Sequence, residues 1–598
     1  MFTTRPELSG TFGAVASTHW LASASGMAML EAGGNAFDAV VAAGLVLQVA
    51  EPHLNGPGGD LPMIYHRADT GETKVVCAQG TAPAGATIAH YRDLGLDLVP
   101  ASGLLATVVP GAFDGWMVML RDHGTMRLED VFERAIHYAE TGIPVVERMH
   151  ETIAVVRDLF TDEWTTSADL YLRGGAVPAI GSYHVNKTLA ATWRRLLAEA
   201  KAGGGSGGGR EGEIEAVRRA WYEGFVAEEI DRYCRDTEIM DTSGRRHRGV
   251  LSGADMAAWR ATYEDPVRYD YGDYTVCKGG PWSQGPVFLQ QLALLAGFDL
   301  AAMDPLGPEF VHTVVECAKL AFADREAFYG DPDFVDVPME TLLSDDYNAA
   351  RRKLIGAEAS MEVRPGTIEG YGGAVDDEAA DRVALKGAPG AMGYGEPTVS
   401  GDGAARGDTC HVDVVDKDGN MVSATPSGGW LQSSPVIPEL GFCLNSRGQM
   451  FWLKEGLPAS LEPGKRPRST LSVNLCLRGG EPYMVFGTPG GDQQDQWSLS
   501  FFLRHVHHGM NLQESIDAPQ WQNMHFLSSF WPRSIDTGVL ELEDRFAAAT
   551  IDDLNRRGHR AGQADGWSFG RMSAVSRADG VIRAAANPRH MQGYAVGR

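Results

Sequence analysis

Thr409 stands where a polar, glycine-rich stretch runs into an alternating apolar segment. If the peptide bond between Asp408 and Thr409 were cut, Thr409 would carry a free α-amine beside its own hydroxyl. A terminal amine has a pKa of about 8, so it can take the hydroxyl proton as the oxygen attacks a carbonyl. That is the threonine-plus-amine version of a nucleophile and its base. A threonine that merely starts a strand reads the same way locally, so further groups are needed. Thr488-Pro489-Gly490-Gly491 supplies one candidate. Two consecutive glycines at a strand end let backbone N–H groups converge on a developing oxyanion, although a tight turn uses the same residues. A second candidate is segment 463–470, where Ser469 and Thr470 close a basic, proline-stiffened loop. Such a loop suits an anion or a substrate, or simply solvent.

Other reactive side chains have plainer readings. Cys410 follows Thr409, and strand alternation turns it to the opposite face, where it packs. His411 shares the Thr409 face, as a base or as a structural hydrogen-bond partner. The run His505, His507, His508 lacks a neighbouring cysteine or carboxylate, so a metal role is disfavoured. Trp430 fits a pocket wall or the core.

The elements that must position these groups follow from periodicity. Segment 409–415 is predicted as a strand, 416–420 as a turn and 421–425 as the returning strand. A second hairpin spans 470–477 and 483–488, and a helix covers 497–509. Upstream, helical spacing runs through 20–50 with a stop and restart at Gly33-Gly34-Asn35. The turn-rich loop 51–60 then leads into a strand over 61–65. Segments 110–140 and 187–235 read as mostly helical, the latter broken by the glycine-serine loop 203–209, and 308–329 reads as a strong helix. Segment 365–408 is glycine-rich, polar and aperiodic, and is expected to be mobile. Hairpins flanked by helices predict a layered α/β fold.

Composition bounds the partners. With 52 Lys plus Arg against 78 Asp plus Glu, the formal charge is −26. That disfavours nucleic acid and anionic membrane surfaces. Apolar residues at 44% and charged residues at 22% suit a globular chain with a large core rather than disorder. The seven cysteines are scattered without CxxC spacing, as expected of reduced thiols in a cytoplasm. No leader-like start and no apolar run of roughly 18 residues is read in the sequence. No metal or organic cofactor is implied, because one residue would supply both nucleophile and base.

These motifs, in this order, resemble the γ-glutamyltransferase (glutathione hydrolase) family of N-terminal-nucleophile hydrolases. The resemblance runs through Ala32-Gly33-Gly34-Asn35-Ala36, Pro57-Gly58-Gly59-Asp60, Lys319-Leu320-Ala321-Phe322-Ala323-Asp324-Arg325 and Gly330-Asp331-Pro332. It is densest at Asp408-Thr409-Cys410-His411, Asp416-Lys417-Asp418-Gly419-Asn420, 463–467 and 488–491. It implies an α/β (α+β) four-layer αββα sandwich and a precursor that cuts itself. Thr409 would attack the Asp408 carbonyl. The products would be a mostly helical large-subunit region, 1–408, with its mobile tail, and a small-subunit region, 409–598, associated in one αββα domain. A homodimer of that pair is left open. The mature Thr409 would pass acyl groups from a small-molecule amide or peptide to water or an amine. By the same resemblance Thr425 assists Thr409, Ser427 supplies a second hydroxyl, Gly490 and Gly491 form the oxyanion hole, and Ser469 and Thr470 hold the substrate.

The family's ionic anchors for a γ-glutamyl head are missing. Gln79 takes the place of the arginine that pairs with the α-carboxylate, and Met450 takes the acidic place that pairs with the α-amine. Arg447 and Gly429 also depart from the pattern. Arg447 without a carboxylate would suit a glutaryl-type amide, as in cephalosporin acylases, unless it pairs with an Asp or Glu elsewhere. A member that has lost catalysis and persists as a binding protein is the other alternative.

Overall fold

The computed structural model describes residues 2–204, 208–373, 375–376 and 409–598. Asp408, and with it most of the segment expected to be mobile, lies outside the described residues, as does the middle of the glycine-serine loop. The described residues of 365–376 include Gly366, whose N–H donates to Asp324 Oδ1 at 2.6 Å.

Among the described residues, fourteen strands build the two main sheets. In chain order they are β1 (Leu8–Gly10), β2 (Gly13–Ser17), β3 (Leu61–His66), β4 (Thr73–Ala78), β5 (Thr262–Glu264), β6 (Val267–Tyr271), β7 (Tyr274–Lys278), β8 (Val412–Asp416), β9 (Met421–Ala424), β10 (Asn474–Arg478), β11 (Glu481–Gly487), β12 (Ser573–Ala578), β13 (Val581–Ala586) and β14 (Tyr594–Gly597). One sheet has the order β1-β13-β12-β11-β10-β7-β6 and the other β14-β2-β8-β9-β3-β4-β5. Neighbours within both are antiparallel.

Strand alternation creates three apolar layers. Val412 and Val414 of β8 face the helices, whereas Val415 joins Ala14, Ala16, Ile64, Val485 and Val575 between the sheets. The inner layer is poor in bulky aromatics, which lets the sheets approach closely. Gly487 at the end of β11 is the clearest case: a Cβ there would lie 2.3 Å from His411 Cε1. On one outer face lie α1 (Trp20–Glu31) and α2 (Ala36–Ala50). On the other lie α3 (Gly285–Leu295), α4 (Pro308–Phe328) and α5 (Gln494–His508). Helices on both outer faces of two packed sheets complete the expected αββα sandwich.

The stop at Gly33 occurs where expected: Gly33 has φ 97°, and Asn35 and Asp38 form a capping box that starts α2. All fifteen residues of α2 are buried, because further helices cover its outer side. Several strands were not legible in advance, among them β1, β2, β5, β6, β7 and β14. Two predicted strands are also shorter than expected. Thr409 and Cys410 precede the ladder of β8, and 470–473 precede β10, because Ser472 N–H donates to the Gln494 side chain instead. Among the described residues no helix is long and apolar enough to cross a membrane.

Candidate active site

Thr409 is buried at the mouth of β8, and its Oγ1 lies 3.2 Å from Ser427 Oγ. The Thr409 carbonyl accepts from Arg571 Nη2 at 2.7 Å. That guanidinium also donates from Nη1 to Glu51 Oε1 at 3.1 Å, and the Arg571 backbone N–H donates to Thr488 Oγ1 at 2.8 Å. Arg571 thereby ties Thr409 to the residue that precedes Pro489-Gly490-Gly491. Glu51, fully buried at the end of α2, also accepts from Gln592 Nε2 at 2.7 Å, Thr18 Oγ1 at 2.5 Å and Cys410 Sγ at 3.0 Å. Cys410 therefore faces the helical layer, opposite to Thr409. Burial pushes its thiol well above the ordinary cysteine range, with Glu51 adding to the effect. It stays protonated and unreactive.

On the inter-sheet face, His411 Nδ1 lies 2.9 Å from Thr425 Oγ1 and Nε2 lies 3.0 Å from Asp413 Oδ1. Asp413 in turn accepts from Ser573 Oγ at 2.8 Å. A carboxylate facing Nε2 favours the proton there, which leaves Nδ1 as an acceptor for the Thr425 hydroxyl. Thr425 Oγ1 also lies 3.3 Å from the Ser472 carbonyl. In that arrangement the single Thr425 hydroxyl proton is directed at Nδ1, the shorter of the two contacts, and Gly487 leaves room for the imidazole.

The diglycine turn has a backbone that favours glycine at both positions. Gly490 has φ 138° and Gly491 φ 52°, both in the region that favours glycine. A Cβ on Gly490 would also meet Trp497 Cζ3 at 2.2 Å. Among the described residues neither N–H donates a hydrogen bond. The turn runs through a 3-10 turn, Gly491–Gln493, directly into α5, so the helix N-terminus adds positive potential there.

The substrate-binding candidates divide. Thr470 Oγ1 is buried without a partner, whereas Ser469 Oγ accepts from Leu471 N–H at 3.2 Å. Gln79 is buried, and its Oε1 has no partner. Arg447 is an ion pair rather than a free anchor: Nη2 lies 2.9 Å from Asp60 Oδ1 and Nε 2.8 Å from Oδ2. The alternative reading of Arg447, a pairing with a carboxylate elsewhere in the chain, is the one realised. Asp60 is bound to the site through its backbone, which pairs with Ser427. Met450 is buried, with Sδ 4.0 Å from Arg447 Nη1. Gly429 has φ 65° and sits against Gly58 and Gly59, so no asparagine side chain projects there. Trp430 packs near Arg447, 5.5 Å from its guanidinium carbon.

The histidines near 507 find separate partners: His505 contacts Tyr483 and Met510, and His507 contacts Tyr271. His312, Glu316 and His559 form a cluster of potential metal donors. There the two rings hydrogen bond to each other at 2.9 Å, and Glu316 is taken by Lys319 and Arg364. Sequence reasoning missed Arg571, Glu51 and Asp413, and it placed Asp60 in a motif without giving it a role. Asp413 also carried a signal, since it lies two residues after His411 on the same strand face.

The pattern of the family described as gamma-glutamyltranspeptidase matches residues 22–597. The glutathione hydrolase-like YwrD proenzyme of Bacillus subtilis is 30% identical over 597 residues, covering 98% of this chain and 99% of its own. The solved structure of LmbA2991HD superposes with a TM-score of 0.93 at 55% identity, over 100% of both chains. A cephalosporin acylase from Bacillus halodurans gives 0.81 at 26% identity, over 100% of this chain and 97% of its own. Matched along nearly its whole length in sequence and in fold, the chain belongs to the gamma-glutamyltranspeptidase family and is an amidohydrolase of the N-terminal-nucleophile type.

Proposed function

We propose that Thr409 matures the chain and then carries the acyl group in amide hydrolysis or transfer. In maturation the Thr409 hydroxyl adds to the Asp408 carbonyl, an N-to-O shift breaks the C–N bond, freeing the Thr409 amine and leaving an ester, and water hydrolyses that ester to the Asp408 carboxylate and the free Thr409 hydroxyl. In turnover that amine takes the hydroxyl proton as Oγ1 attacks the substrate amide. The Gly490 and Gly491 N–H groups receive the oxyanion, the proton passes to the leaving amine, and water or a second amine removes the acyl group. Thr425, held by His411 and Asp413, orients the reacting hydroxyl.

The observation that carries this reading is the Arg571 clamp. One guanidinium fixes the Thr409 carbonyl while its own backbone fixes the approach to the diglycine turn. A denaturing gel tests it. Two bands are expected from the purified protein, and one from Thr409→Ala with loss of turnover. Cys410→Ala should still give two bands. A Thr409→Ala chain that is cut and active would refute the proposal.

For the acyl group, a γ-glutamyl or glutathione-like amide is the broad expectation from the relatives. Uncharged Gln79 and thioether Met450 at the anchor places favour the second reading, an acylase for amides whose acyl part lacks an α-ammonium. The carboxylate of Asp60 is already neutralised by Arg447, so it offers such an ammonium little.

A further inference from the structure

Two carboxylates follow the diglycine turn closely: Asp492 in the 3-10 turn and Asp495 in the first turn of α5. A carboxylate there stabilises the helix, because the N-terminus is the positive end of its dipole. The same charge opposes an oxyanion, which that end would otherwise attract. Each carboxylate meets a buried cation. Arg325 donates to Asp492, and Lys278, the last residue of β7, donates from Nζ to Asp495 Oδ1 at 2.8 Å. Lys278 and Asp495 are both fully buried.

The surroundings of Lys278 fit an ammonium. Besides Asp495, Nζ donates to Ser472 Oγ at 2.5 Å and to Asn474 Oδ1 at 2.6 Å, so three acceptors meet its three N–H donors. Asn474 keeps that oxygen toward the ammonium, because its Nδ2 donates to the Phe486 carbonyl at 2.9 Å. The Phe288 ring, centred 4.7 Å from Nζ, adds a cation–π contact. Ser472 Oγ donates in turn to Asp495 Oδ1 at 2.7 Å.

Lys278 also reaches the site through Ser472. The Ser472 N–H donates to Gln494 Oε1 at 3.1 Å, and the Ser472 carbonyl lies 3.3 Å from Thr425 Oγ1. The ammonium thus stands between the chain that passes Thr425 and the helix that begins at the diglycine. A brace alone does not call for charge here, since apolar residues of similar size often stabilise a fold as well as a buried ion pair does. Charge is needed where a field has to be shaped.

We propose that Lys278 is a positioning residue for acyl transfer: it cancels the Asp495 charge, so that the Gly490-Gly491 corner keeps a positive potential for the oxyanion. This rests on the Thr409 reading, with the diglycine as the oxyanion site. Lys278 touches no reacting atom and acts through Asp495 and Ser472. Arg325 plays the matching part for Asp492.

The test uses the full-length protein as purified and p-nitrophenyl acetate, an ester whose acyl group is uncharged, with Thr409→Ala as the blank. Lys278→Met should lower kcat about 10- to 30-fold with KM little changed, as expected for one uncompensated buried charge near the reacting centre. Lys278→Arg keeps the charge and should keep most of kcat. Asp495→Asn removes the opposing charge and should hold kcat or raise it, and the double variant Lys278→Met, Asp495→Asn should return to within about threefold of the wild type. A plain brace predicts instead that both single variants lose kcat alike. The Lys278→Met deficit should also grow as pH rises and Asp495, whose pKa is raised by burial, gives up its proton. The titratable groups facing Asp495 are Lys278 and, after α4, Tyr329, which burial keeps protonated, while Gln284 and Gln291 at α3 carry no charge. Equal losses in the two single variants, or an unchanged kcat in Lys278→Met, would overturn the field role and leave Thr409 chemistry standing. If Lys278→Met fails to mature, a fall of kcat in Asp495→Asn overturns it by itself. A wild type no faster than Thr409→Ala would count against the acyl-transfer reading instead.

Discussion

Replacing Arg571 with Met tests whether the clamp on Thr409 matters for alignment or only for stability. The substitution removes the 3.1 Å contact to Glu51 Oε1 and the 2.7 Å bond to the Thr409 carbonyl. Glu51 is 0% exposed and keeps only neutral donors from Thr18, Cys410 and Gln592. Breaking a buried ion pair by removing one partner costs about 3–5 kcal/mol, and the three remaining donors put the stability loss near the lower end, about 3 kcal/mol. Positioning is a separate effect. A shift of about 1 Å in a reacting group costs about 100-fold in rate, so self-cleavage should slow by roughly that factor. The double variant Glu51→Gln, Arg571→Met removes the stranded charge. It should recover much of the stability and none of the cleavage rate, because the Thr409 carbonyl still lacks its donor. Denaturant midpoints and a cleavage time course on gels read the two quantities independently. A double variant that regains both would show that Arg571 acts through stability alone. A single variant that matures at the wild-type rate would refute the clamp.

Two further predictions concern the sandwich. Gly487→Ala puts a methyl 2.3 Å from His411 Cε1 and 2.6 Å from Nε2, so the ring must leave Thr425 and Asp413. A destabilisation of about 1–3 kcal/mol is expected from overpacking, with a loss of activity that Gly562→Ala, which meets nothing within 4 Å, does not share; equal behaviour of the two would contradict it. Burial lowers the pKa of fully buried His19 and His184 from 6.5 to about 4. The unfolded chain then binds more protons between those values, so stability is full above pH 6.5 and is lost as pH falls toward 4. Each histidine contributes roughly 2 kcal/mol of that loss by pH 5. Thermal melts should fall steadily from pH 7 to 5, and a flat profile would exclude the effect.

Local signals made much of the site legible. Alternation around Val412 and Val414 marked the β8–β9 hairpin, the diglycine marked the turn into α5, and Gly33-Asn35 marked the start of α2. Features that rest on distant pairing were not legible. β2 pairs with β8 from the opposite end of the chain, with Ser17 against Val412, and only three-dimensional closure reveals it. The same holds for Arg447 with Asp60, which turned a candidate substrate anchor into a structural pair. Arg571 sits just before β12 with no motif around it, and its role exists only because β12 lies near the Thr409 carbonyl. Buried charge clusters are hard to foresee for a related reason. The spacing of Arg325, Glu326, Arg468, Asp492 and Arg533 carries no periodicity, so their pairing could not be read along the chain.

Intact mass spectrometry of the purified protein, alone and after brief incubation with glutaryl-p-nitroanilide, bears most directly on Thr409. The account predicts one fragment that begins at Thr409 and ends at Arg598, and it predicts that this fragment alone gains a glutaryl mass on that residue. An active preparation consisting of a single 64.4 kDa chain, or an adduct on any other residue, would contradict it.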